Sequence, residues 1–220
     1  MRELGFGILQ ASAGREIGGR TYAISRFYGP VPVHLIGCGL SLDHRAAGQR
    51  GAAAINPHGL VQEFLGLAPG RRALDIAAGS GRNALFLAEQ GFTVDAVDIA
   101  EEGLALFSGR NPGIRTICAD LDIFDIPTGR YDLILNTLYL NRRLFPQIRE
   151  GLSPGGLLIF ETLLEIPGAA DQSEHCRDYF LRPNELLHSF LSLRVLHYHE
   201  ECGPGRDEQR RLASLVAVRP

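Results

Sequence analysis

Two acids stand where apolar runs end, on either side of a glycine turn. They are Asp75 in LDIAAGSGRNALFLA (74–88) and Asp98 in FTVDAVDIA (92–100). Gly79 and Gly81 permit tight turning and close backbone approach, and the helix opening near Arg82 offers free amides to a negative group. Such a turn holds a nucleotide-like ligand. A P-loop is excluded, because no Gly-Lys-Ser/Thr follows and the chain contains no lysine. The same absence excludes a Schiff-base lysine. Gly79-Ser80-Gly81-Arg82-Asn83-Ala84 fits the G-x-G-x-x-A dinucleotide fingerprint, with Asp98 placed to bind a ribose hydroxyl. Asp75 argues the other way. A carboxylate in the mouth of the site repels a pyrophosphate and attracts an amino group or a sulfonium.

Other chemistry-bearing residues are sparser. His197, His199 and Cys202 form H-x-H-x-x-C, with both histidines on one face of a strand. No second half of a metal site accompanies them, and no metal is expected. His175 and Cys176 lie in a polar stretch, 168–178, that reads as a lid or a surface loop. No nucleophile–base pair of the hydrolase type is visible.

The elements that must position these residues alternate regularly from His58 onward. HGLVQEFLGL (58–67) is an amphipathic helix stopped by Pro69-Gly70. RALDIA, FTVDAVDIA, IRTICAD, YDLILNT and GGLLIFETLL are apolar strands. GRNALFLAEQG (81–91), EEGLALFSG (101–109), NRRLFPQIREG (141–151, with an irregularity at its proline) and RPNELLHSFL (182–191) are helices. Continuous apolar strands alternating with helices predict a parallel sheet covered on both faces. LRVLHYHEE and RRLASLVAVRP have only CGPGRDEQ between them and predict an antiparallel hairpin at one sheet edge. The fold class expected is therefore α/β, a doubly wound, mostly parallel seven-stranded sheet. Residues 46–220 form its domain. Residues 1–45 read as an N-terminal extension with a β-hairpin turning at Gly18-Gly19, ahead of the alternating TYAISRFYG (21–29). The hairpin packs on the main domain or on a partner chain, and the second arrangement would make a homodimer.

Composition narrows the partners. With 220 residues, 45% hydrophobic and 21% charged, the chain can bury one ordinary core. A net charge of −3 gives no general basic footprint for nucleic acid. No apolar span of membrane length and no signal-peptide order is present, so a cytoplasmic protein with free thiols is expected.

DIAAGSGRNALFLAEQGFTVDAVDIA, then CADL, YDLILNTLYL and LSPGGLLIFET, resembles the class I S-adenosylmethionine-dependent methyltransferases. GRNALFLA together with FLRPNELLHSF is similar to their small tellurite-resistance (TehB-like) branch. The resemblance runs from about Asn56 to the C-terminus. It implies S-adenosylmethionine as cofactor and assigns residues to it. Asp75 would face the amino group, and Gly79 and Gly81 would admit the methionine part, with Ala77 and Asn83 in the same loop and helix start. Asp98, followed by Ile99, would accept the ribose hydroxyls. Asp120 and Leu121 would hold the adenine, and Asn136 would line the site near the transferred methyl. Asn136, Tyr139, Tyr179 and Arg182 are the candidates for shaping the acceptor pocket. Two positions depart from the family. Ala77 stands where glycine is frequent, and Asn141 stands in Tyr139-Leu140-Asn141-Arg142 where relatives often carry histidine.

The reaction implied is methyl transfer to a small-molecule acceptor such as a thiol, a chalcogen oxyanion or another small nucleophile. The alternatives are a nicotinamide-dependent oxidoreductase using the same turn and a non-catalytic S-adenosylmethionine-binding module. A nucleic-acid methyltransferase would need an arginine-lined groove near Arg142, Arg143, Arg210 and Arg211.

Overall fold

The computed structural model describes residues 15–17, 20–22, 58–165, 179–201 and 211–220. Strands β1 (Arg15–Ile17) and β2 (Arg20–Tyr22) pair antiparallel across Gly18-Gly19, with Arg15 opposite Tyr22. The remainder of the extension and of TYAISRFYG lies outside the described residues, as do 168–178 and Cys202.

The main body runs α1 (Gly59–Phe64), β3 (Arg72–Ile76), α2 (Arg82–Glu89), β4 (Thr93–Asp98), α3 (Glu101–Ala105), β5 (Ile114–Cys118) and β6 (Tyr131–Thr137). It continues with α4 (Leu144–Gly151), β7 (Leu152–Leu163), α5 (Glu185–Ser189), β8 (Arg194–Glu200) and β9 (Leu212–Val218). These strands form one seven-stranded sheet in the order β5-β4-β3-β6-β7-β9-β8. β3 to β7 are parallel, and β9 runs antiparallel to both β7 and β8. This is the doubly wound sheet and edge hairpin that the alternation predicts. The chain winds outward from β3 through β4 to β5, then returns to the other side of β3 as β6. The crevice between the carboxyl ends of β3 and β6 is thus the switch point, where open α/β sheets place ligands.

Period-two alternation divides the core into two layers. Ala73, Val94, Ala96, Leu133, Leu135, Leu157, Ile159 and Val216 pack beneath Val61, Leu65, Ala84, Leu87 and Phe107. On the opposite face Leu74, Ile76, Val97, Ile134, Leu158, Phe160 and Leu215 meet Leu144, Phe145, Ile148, Leu186 and Phe190. Phe145, Phe160 and Phe190 pack edge-on or tilted, with centroids 5.4–5.8 Å apart. Continued to the carboxyl edge, the first layer delivers Asp75, Asp98, Thr137 and Glu161, and the second delivers Asn136. The pleat alone therefore decides which side chains can meet.

Two helices differ from expectation. In α4, Pro146 causes no irregularity, because it lies in the first turn, where a backbone N–H has no partner within the helix. α5 begins only at Glu185, after Asn184 in a left-handed conformation (φ 63°). The Glu185 carboxylate accepts the Arg182 N–H at 2.8 Å and holds Pro183 in a turn instead of a first helical turn.

Both strands that border the crevice leave the sheet through a left-handed residue that is not glycine, Ala77 (φ 55°) after β3 and Leu138 (φ 57°) after β6. Such a conformation costs an L-residue about 1–2 kcal/mol. Glycine at position 77 removes that cost and adds about 0.5–1 kcal/mol of backbone entropy. Urea denaturation of Ala77→Gly should show a net gain of about 0.5–1 kcal/mol. A lower midpoint at an unchanged slope would contradict the strain.

Candidate active site at the switch point

The glycine loop is shaped by its own packing before any ligand is considered. Gly79 (φ 56°) and Gly81 (φ 80°) are both left-handed. A Cβ at Gly81 would lie 2.3 Å from the Phe107 ring, so this glycine lets the loop pack against the turn that follows α3. A Cβ at Gly79 would meet nothing within 4 Å, which leaves that backbone open to the crevice.

Asp98 is fully buried and braces this loop. Its Oδ2 accepts the Gly79 N–H at 2.7 Å and its Oδ1 accepts the Ala100 N–H at 2.7 Å. The resemblance gives these oxygens to a ribose. Each already holds one amide and has a further lone pair.

Asp75 is different. It is 1% exposed, and its Oδ2 is buried without a hydrogen-bond partner among the described residues. Burial pushes its carboxyl up to about 7, against the Ala84 N–H and the Arg82 charge, which favour ionisation, while Asp98 adds to the rise. The contrast with the acids at the opposite edge is direct. Asp132 accepts from Arg72 and from Ser153 Oγ (2.8 Å), and these donors hold it below the usual carboxylate range despite its desolvation. Asp95 is met by Arg115 (2.8 Å) and the Tyr131 hydroxyl (2.9 Å). Those two acids are satisfied structural groups, whereas one oxygen of Asp75, at the ligand end of the sheet, lacks a donor.

On the β5 side, Asp120 caps a turn by accepting the Asp122 N–H at 2.9 Å, Leu121 is buried and Ile99 is half-buried. Asn141 donates to Leu121 O (3.3 Å), Asp122 Oδ1 (2.9 Å) and the Tyr139 hydroxyl (3.4 Å). In place of a titratable histidine, the chain thus has an amide that ties the loop after β5 to the loop after β6. Burial raises the Tyr139 pKa; the Asn141 bond opposes the rise, and Asp122, Asp120 and Asp98 reinforce it. Asn136 donates to Tyr139 O at 2.7 Å and so fixes the chain beyond the Leu138 kink.

Tyr179 and Arg182 sit beside the end of β7, through the Leu164–Leu181 bridge. Arg182 is exposed, and its backbone engages Glu185. Arg142 bonds Glu185 (2.9 Å) and Phe180 O, and Arg143 bonds Asp125 and Phe124 O, so both are engaged within the chain. His197 lies 3.3 Å from Ser214 Oγ and against the Phe64 ring. The described residues contain no metal-ligand cluster.

Asn83, expected at the cofactor loop, is instead tied to His58 and Thr137, in a cluster the sequence did not foretell. Asn83 accepts the His58 N–H at 3.0 Å and donates to Thr137 Oγ1 at 3.3 Å, while His58 Nε2 lies 2.6 Å from Glu161 Oε1. Glu161 did carry a signal, as an acid ending an apolar run in the manner of Asp75. His58 carried none.

Residues 73–156 match the methyltransferase domain family. Over that span the chain is similar to a methyltransferase domain, and its fold is shared with S-adenosylmethionine-dependent methyltransferases of known structure. A ubiquinone biosynthesis O-methyltransferase of Bordetella avium is 29% identical, the match covering 62% of this chain and 67% of that protein. TehB from Haemophilus influenzae superposes with a TM-score of 0.58 at 23% identity, over 74% of this chain and 62% of that one. An S-adenosylmethionine-dependent methyltransferase from Mesorhizobium loti gives 0.59 at 20% identity, over 73% and 96%. The chain thus spans less than two thirds of the TehB length. Within the methyltransferase domain lie the glycine loop, Asp75, Asp98, Asp120 and Asn136, whereas His58 and Glu161 stand outside the matched span. No helix among the described residues is long and apolar enough to cross a membrane.

The residues fit the cofactor this domain implies. The donor-less Asp75 oxygen suits a cationic amine, and the open side of Gly79 admits a close approach to backbone. The raised carboxyl also has a stability consequence. Its native value, about 7, lies above its ordinary value of 3.8. Below 3.8 it is protonated in both states; as pH rises from 3.8 to 7 the unfolded chain ionises first and native stability is lost. Asp75→Asn should therefore gain stability over wild type as pH rises through this window, by a few kcal/mol at neutral pH. Urea titrations at several pH values measure it, and parallel curves would contradict it.

Proposed function

We propose that the protein transfers the methyl group of S-adenosylmethionine to a small-molecule acceptor. One observation supports this reading most: the ligand end of the sheet presents a buried carboxylate oxygen in need of a cationic donor, in a chain with no lysine to bind phosphate. S-adenosylmethionine supplies a methyl carbon bonded to a sulfonium, a good leaving group. The chain's task is then to align and desolvate the reactants. Asp75 would receive the amine and Gly79 the neighbouring methionine atoms. Asp98 would turn its remaining lone pairs to the ribose while keeping the loop in shape, and Leu121 would supply an apolar wall for the base.

The name of the Bordetella avium relative favours an oxygen acceptor, and the likeness to the tellurite-resistance branch favours a soft one. A hydroxyl or thiol on a small molecule satisfies both. Arg142 and Arg143, held internally, do not support a nucleic-acid groove. Cys118 is an exposed free thiol, in keeping with a reducing, cytoplasmic setting.

Calorimetry with S-adenosylhomocysteine tests the reading. Wild type should bind it, and Asp98→Ala should bind at least tenfold more weakly, about 1.4 kcal/mol. Binding of NAD(H) with no response to S-adenosylhomocysteine would overturn the assignment in favour of an oxidoreductase.

A further inference from the structure

His58 immediately precedes α1, far in sequence from the glycine loop, yet three contacts tie it to the switch point. Its N–H donates to Asn83, whose amide reaches Thr137, and its Nε2 meets Glu161 at 2.6 Å. Register puts Thr137 directly opposite Glu161 on β6 and β7. Leu135, one step below Thr137 on the same face, pairs with Asp75. The His58–Glu161 pair is therefore on the Asp75 face of the sheet, at the carboxyl edge, on the β7 side of the crevice.

The pair is also mostly shielded, with side chains 18% and 14% exposed. In the tautomer that this contact favours, Nε2 donates the ring proton to the Glu161 carboxylate. Nδ1 is left with a lone pair, as in imidazoles whose tautomer is set by an acid. That Nδ1 is buried and meets no donor among the described residues. A tie made only for structure gains nothing from a buried acceptor without a donor, which costs about 1–3 kcal/mol. A group meant to take a substrate proton requires such an atom.

We infer that His58 is the proton acceptor for the incoming nucleophile, that Glu161 is its positioning residue, and that the methyl acceptor is a protic hydroxyl or thiol. The inference rests on the methyl-transfer reading above. In the step, the acceptor oxygen or sulfur forms a bond to the methyl carbon, and the carbon–sulfonium bond breaks with its electron pair staying on sulfur. The acceptor's proton moves to Nδ1, leaving an imidazolium beside the Glu161 carboxylate, and passes to water afterwards. Other groups fit the role less well. Asp75 lies beneath the glycine loop with its carboxyl bonded to the Ala84 amide, and Tyr139 packs with the opposite layer and holds its proton more tightly than usual. The charged group set against the His58 ring is Glu161, whose carboxylate favours a transient imidazolium, while the Arg82 guanidinium on the same face is directed to Asp75.

Two readouts test this on the full chain. Nitrogen NMR of the imidazole, in the S-adenosylhomocysteine complex at neutral pH, should show Nε2 protonated and Nδ1 bare. Glu161→Gln, checked for folding by its circular dichroism, should shift that tautomer balance. A protonated Nδ1 in wild type overturns the inference, whichever acceptor is used. In the second readout, catechol, protonated at neutral pH, is compared with para-nitrothiophenol, which is already a thiolate. His58→Gln should slow methylation of catechol about 100-fold more than that of the thiolate. Equal slowing of the two, or none, overturns the inference. If wild type fails to bind S-adenosylhomocysteine, the methyl-transfer reading itself fails, which separates the two failures.

Discussion

A carboxylate buried at the ligand end of the sheet, with one oxygen lacking a donor, is the constraint on which the site turns. Burial of an ionisable group is tolerated when partners compensate, as Arg72 and Ser153 do for Asp132. Asp75 has the Ala84 amide and the charge of Arg82 in its favour, and its carboxyl still rises to about 7. The protein keeps an unfavourable group in the centre of its sheet. The stability it gives up as pH rises is the kind that a cationic ligand at this oxygen would restore.

The fold makes that placement possible with few special devices. Parallel strands buried on both faces set a strict alternation, so Asp75, Thr137 and Glu161 share one face and Asn136 belongs to the other. Left-handed exits at Ala77 and Leu138 turn the chain out of the sheet on both sides of the crevice. Asp98 holds the glycine loop from below through two backbone amides. Asn141 and Asn136 fix the facing loops. Among the described residues, the buried side-chain polar atoms that find no hydrogen-bond partner are Asp75 Oδ2 and His58 Nδ1.

Much of this was legible in the sequence, for a physical reason. Strand ends and glycine turns are local features, so Asp75, Gly79, Gly81 and Asp98 stood out, and the alternation of apolar runs with helices foretold the sheet and its edge hairpin. What sequence could not show is pairing at long range. His58 and Glu161 are 103 residues apart and meet only because β7 lies two places from β3 while α1 packs over both. The bracing role of Asp98 was hidden likewise, since a ribose-binding acid and a loop-bracing acid look alike in sequence. Pro146 and Pro183 misled the helix reading because the outcome depended on a turn's position and on the bond from the Arg182 N–H to Glu185.

The central claim is that binding satisfies Asp75 with a cation, and proton counting tests it most directly. Calorimetry of S-adenosylhomocysteine binding in two buffers of different ionisation enthalpy, at a pH between 3.8 and 7, reports protons exchanged. The account predicts release of close to one proton in the middle of that range, where the free protein's Asp75 is still protonated, and none from Asp75→Asn. Equal release from the variant, or none from wild type, would contradict it.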